Sequence, residues 1–156
     1  MAQEQAEQDV SESKAGGFSA AERAAMKQRA AELRAEGKAG KGAAKREREA
    51  QACLDAIAEL EGTDKAVAQL LHDLVTEEAP HLFSKTWYGF PSYAREGKVV
   101  VFYQPASKFD VRYGVVGFSE DAFLDDGVMW PTSYAVTEVN AQVEERLREL
   151  VIRAAG

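Results

Sequence analysis

Along the second third of the chain, apolar residues recur at helical spacing and then give way to alternation, and that change of period marks out the elements. Ala50, Cys53, Leu54, Ile57 and Leu60 fall on one stripe of a helix predicted over about Ala43 to Glu61, with Gly62 as its stop. Val67, Leu70, Leu71, Leu74 and Val75 make the apolar face of the next helix, which Thr63 or Asp64 can cap and Pro80 ends. Beyond it, Lys98 to Gln104 and Val111 to Phe118 carry the β-branched and aromatic residues of an antiparallel pair, separated by the turn-like Pro105 to Lys108. A shorter strand spans about Trp87 to Tyr93, the chain bends at Glu96-Gly97, and Ser133 to Val136 adds another short strand. Asn140 caps a last helix that turns Val143, Leu147, Leu150 and Val151 inward. Upstream, Ser19-Ala-Ala-Glu22 is a capping box that starts an alanine-rich helix running to about Glu36. Its sizeable apolar residues are Phe18, Met26 and Leu33, which predicts weak docking or none. The order of elements gives an α+β fold: an antiparallel sheet of three to five strands with helices packed on one face, plus an N-terminal helical extension.

A chain of 156 residues supports one core of ordinary size. Its net charge of −7 is unevenly spread, with nine basic and four acidic residues from Phe18 to Arg48, against nine and eighteen from Glu49 to Gly156. Three segments follow. Met1 to Gly17 is too polar to bury surface and is expected to be disordered. Phe18 to Arg48 is a helical, basic extension and linker, and Glu49 to Gly156 is the folded domain. The single Cys53 excludes an internal disulfide, and no apolar run approaches the roughly 20 residues that cross a bilayer. A cytoplasmic protein without membrane contact, monomeric or homodimeric, is expected.

The motifs of catalysis are missing. Ser92, Ser107, Ser119 and Ser133 lack a Gly-x-Ser-x-Gly elbow, Cys53 lies on an apolar helix face, and the lysines between Gly37 and Gly42 fit no phosphate loop. No enzyme is predicted. Glu78-Ala-Pro-His81 has the Glu-x-x-His spacing of di-iron bundles, but Pro80 directs the chain out of the helix, and neither His72 nor His81 has a close-spaced partner. Two acidic groups, Asp73, Glu77 and Glu78 and then Glu120, Asp121, Asp125 and Asp126, offer hard oxygen ligands for loose binding of Fe²⁺ or similar cations, or simply a solvated surface. Lys38, Lys41, Lys45, Arg46 and Arg48 have no aromatic residue interleaved for base stacking, so no specific nucleic-acid binding is expected.

Aromatic residues between Trp87 and Tyr134 are too many for one small core, and strand alternation sends neighbours such as Phe102 and Tyr103 to opposite faces. Trp87, Tyr88, Phe90, Pro91, Trp130 and Pro131, with Lys108 and Arg112 as anion contacts, are therefore the candidate surface for a small molecule or a protein partner. Lys85 could supply a further anion contact. The run Lys85-Thr-Trp-Tyr-Gly-Phe-Pro91, the two strand-like runs after it, and Leu124-Asp-Asp-Gly-Val-Met-Trp-Pro-Thr132 resemble the YdhG-like (DUF1801) family of small bacterial domains, over about Leu60 to Ala154. The resemblance implies the same α+β architecture. Some members are described as iron chaperones with a frataxin-like role, so it also implies an alternative to ligand or partner binding, in which the acidic groups hold iron weakly. The third helix carries only a few outward carboxylates, where frataxin-like delivery leads one to expect a dense acidic ridge. No other cofactor is expected.

Overall fold

Five antiparallel strands lie side by side in their chain order, each hydrogen-bonded to the next. They are β1 (Phe83–Trp87), β2 (Phe90–Arg95), β3 (Lys98–Gln104), β4 (Gly114–Phe118) and β5 (Ser133–Val136). The computed structural model describes residues 17–39 and 42–156. Three long helices precede the sheet, α1 (Ala20–Ala39), α2 (Ala43–Ala58) and α3 (Gly62–Glu78); a single helical turn, α4 (Ala106–Phe109), follows β3, and α5 (Ala141–Ala155) closes the chain. The fold is α+β, with the strand count at the top of the expected range. Residues 1–16 of the tail expected to be disordered lie outside the described residues.

Register divides the sheet into two faces. Tyr93 pairs with Val101, Val101 with Phe118 and Tyr103 with Val116, so these side chains share one face. Against it pack Cys53 and Ile57 of α2, Val67, Leu71, Leu74 and Val75 of α3, and Leu147, Leu150 and Val151 of α5, all buried in one cluster. At its centre the Tyr93 hydroxyl lies 3.0 Å from His72 Nδ1 and receives the Cys53 thiol at 4.0 Å. On the opposite face a second row runs Lys85, Ser92, Phe102, Gly117, each paired with the next. Gly117 is glycine because a Cβ there would collide with the Phe102 ring.

Local signals behave largely as their chemistry dictates. Ser19 Oγ accepts from the Glu22 amide at 3.1 Å, and Asn140 Oδ1 from the Val143 amide at 2.9 Å, so both caps form. Several expectations change. The single strand over Trp87 to Tyr93 is a hairpin, β1 turning into β2 at Tyr88-Gly89, and the Pro105 to Lys108 turn winds into α4. Asp64, expected to be available as a cap, lies inside the first turn of α3, where its side chain reaches away from the helix altogether. Among the described residues no helix is long and apolar enough to cross a membrane.

Candidate functional site

The hairpin between β1 and β2 turns on two residues with positive φ, Tyr88 at 54° and Gly89 at 79°. That pair of left-handed residues is a type I′ turn, whose twist matches that of the flanking strands. Gly89 serves twice, since a Cβ would both strain this backbone and collide with Lys108 Nζ. The turn leaves two backbone amides pointing away from the ladder, and Glu32 of α1 takes both: Oε2 accepts from Tyr88 N at 3.2 Å and Oε1 from Gly89 N at 3.0 Å. One helical turn further on, Glu36 accepts from Lys85 Nζ at 2.7 Å, and Arg29 stands 3.4 and 3.5 Å from Glu32 and Glu36. Burial pushes the Glu36 carboxyl up, but the hydrogen bond and charge of Lys85, with Arg29 and Lys45, outweigh it and hold it below its usual value.

This polar anchoring is how α1 docks. The larger apolar residues along it and just before it are only partly covered, Phe18 at 51 %, Met26 at 39 % and Leu33 at 53 % exposure, whereas the Glu32 carboxylate is almost fully covered. Apolar content alone therefore predicts weaker docking than the structure has.

Beneath and beside the N-terminal half of α1 lies an aromatic floor. Trp87 and Phe102 meet edge to face with centroids 5.1 Å apart, Phe90 stacks on Phe102 at 6.4 Å, and Phe109 meets Phe90 edge-on at 5.6 Å. Phe18 and Met26 form the opposite wall of a cavity of about 320 Å³ over these rings, with Gln104 and Glu22 at its margin. A second cavity, of about 570 Å³, opens between α1 and α2 above Lys85 and Thr86, and Glu32 and Glu36 line it. Lys108 donates to the Gly89 carbonyl at 3.0 Å and stands 5.8 Å from the Phe90 ring centroid. Desolvation lowers the Lys108 ammonium's pKa, with Glu59 and Glu32 opposing.

Of the residues expected to form a binding surface, Trp87, Tyr88, Phe90 and Lys108 come together here. Pro91 does not, because it pairs with Thr86, is fully buried and faces away from Phe90. Arg112 lies over the Tyr113 ring and borders a separate small cavity beside Asp64. Trp130 packs half-buried against the helix-side core, while Pro131 is exposed beside the fully exposed Val128 and Met129. The residues that sequence reading missed are Glu32 and Glu36. Glu32 bonds an amide 57 positions away, and nothing in its neighbourhood along the chain announces that partner.

The acidic groups are distributed otherwise. Glu77 and Glu78 both pair with Arg148 of α5, and Asp73 accepts from Gln69 at 2.9 Å. Glu120, Asp125 and Asp126 are exposed and Asp121 half-buried. Among the described residues, no three His, Cys, Asp or Glu side chains are grouped so as to hold a metal ion. In the basic run, Lys45 stands 4.0 Å from Glu49 and the Arg46 guanidinium 3.9 Å over Phe83. Lys41 lies outside the described residues. Compared with known proteins, the chain matches no family model, no curated protein and no solved structure at a significant level.

Proposed function

We propose that this chain is a cytoplasmic, non-enzymatic binding module that admits a small, largely apolar ligand to the aromatic cleft between α1 and the sheet. The observation that carries this reading is the cavity of about 320 Å³ floored by Trp87, Phe90, Phe102 and Phe109 and walled by α1. Its size suits a small molecule, and apolar walls with a few polar groups at the margin are the usual composition of such sites. The chain is taken as a YdhG-like domain by resemblance, and its own lack of a catalytic motif supports binding as the role.

Trp87 makes the test direct. The chain has two tryptophans, so Trp130→Phe leaves Trp87 as the only indole. Titration of that variant with uncharged naphthalene derivatives should change Trp87 emission saturably, and adding Phe109→Ala should weaken binding about tenfold, as expected for loss of one ring contact. Emission that stays linear in ligand up to its solubility limit would remove the cleft as a binding site.

A further inference from the structure

The Tyr88-Gly89 turn has the chemistry of an anion site. Two successive amides converge on one carboxylate, the Lys108 ammonium sits on the Gly89 carbonyl, and the Lys85 ammonium of the same hairpin meets Glu36 one helical turn along α1. We propose that this turn is a carboxylate receptor held in cis by Glu32, and that the ligand of the aromatic cleft carries a carboxylate that displaces Glu32 from it. The inference deepens the cleft reading and rests on it for the aromatic half of the ligand.

Three observations carry it. First, every receptor group belongs to the hairpin and the β3–β4 connection, while the carboxylates on the two amides and on Lys85 belong to α1; Lys108 donates instead to the Gly89 carbonyl. Lys85 is only 7 % exposed, and among the described residues the two amides have no partner but Glu32, so withdrawal of the Glu32 side chain leaves donors that favour another anion. Second, the occupant's apolar contacts are partial, since Phe18, Met26 and Leu33 are only partly covered. Third, the receptor adjoins the cleft: Tyr88 supplies an amide to Glu32 and also lines the aromatic cavity with Trp87 and Phe90. A ligand with an aromatic body and a terminal carboxylate spans both. Because Glu32 is tethered, it competes at a high effective concentration, and the apparent affinity of the intact protein is lowered by the fraction of time Glu32 is seated.

Backbone amide NMR of the full chain tests this with three probes, benzoate, acetate and benzyl alcohol, at constant ionic strength. In Glu32→Ala, benzoate should shift the Tyr88 and Gly89 amides saturably and bind about tenfold tighter than to the wild type, because it regains charge-assisted hydrogen bonds to both amides. Benzyl alcohol should shift Trp87 and Phe102 ring signals without moving the turn amides. Glu32→Gln keeps an acceptor on the turn, so it should bind benzoate with intermediate affinity and serves equally should Glu32→Ala not fold. Turn amides that ignore benzoate and acetate in a folded variant, with benzyl alcohol still bound at Trp87, would overturn the receptor and leave the cleft standing. Turn amides that follow acetate and benzoate equally, with no probe reaching Trp87, would keep the receptor and remove the cleft.

Discussion

Asp64 sits in the first turn of α3 and spends its charge elsewhere. It is 8 % exposed, and its carboxylate accepts from the Tyr103 hydroxyl at 2.6 Å, Ala106 N at 2.8 Å and Ser107 N at 3.0 Å. Those amides open α4, whose N-cap position is Pro105, a residue with no side-chain acceptor to offer, so Asp64 caps that turn from 42 residues away. Burial pushes the Asp64 carboxyl up, and the hydrogen bonds from Tyr103, Ser107 and Ala106 outweigh it and hold it below its usual value. A carboxylate depressed in the folded state stabilises the fold above its unfolded pKa, and that contribution is lost as pH falls through the folded value. Asp64→Asn should therefore cost about 1–3 kcal/mol at pH 7. The difference from wild type should shrink as the pH drops below about 4, the ordinary carboxylate value. Urea unfolding at both ends of that range measures it, and an equal loss at pH 7 and pH 3 would show that charge is not what Asp64 supplies. In the sequence an aspartate at a helix start reads as a local cap. Only the fold brings Tyr103 and Ala106 to it.

Hairpin turns separate what the chain announces from what it conceals. Glu96-Gly97 is legible, because a glycine between the charged residues Glu96 and Lys98, just ahead of a run of valines, marks a bend, and the structure turns there with φ of 51° and 81°. Tyr88-Gly89 has nearly the same backbone, yet aromatic residues on both sides of the glycine make it read as one continuous strand from Trp87. A bulky aromatic at positive φ is rare, and here the Tyr88 ring meets Trp87 edge-on at 4.9 Å. At the exposed Glu96 no ring contact of this kind offsets the backbone strain. Glu96→Asn should stabilise the protein by about 0.5–1 kcal/mol, since asparagine enters the left-handed region more readily. Thermal melting decides this, and a lowered midpoint would mean that Glu96 makes a contact worth more than the strain. The helices α2, α3 and α5 were readable for the opposite reason: their apolar stripes are local in sequence and period, and the core accepts them with Leu54 left exposed.

At the scale of the whole molecule the sheet carries two layers of different kinds. On one face α2, α3 and α5 bury a continuous apolar core; on the other, α1 is fixed by Glu32 on two amides and Glu36 on Lys85. Apolar burial scales with area and is spread over many side chains, so it fails cooperatively, whereas a helix held at two polar points can lift as a unit. Amide hydrogen exchange of the full chain should therefore show α1 opening at a free energy well below that of α3 and α5, whose core amides should exchange by global unfolding. Glu32→Ala should raise the α1 opening equilibrium by about tenfold to a hundredfold, the range expected when a charge-assisted hydrogen-bonding group is removed. Rates at the core amides of α3 should stay unchanged. If α1 instead exchanged together with α3 in both proteins, the helix would belong to the core cooperative unit, and Glu32 would be a structural anchor that no ligand displaces.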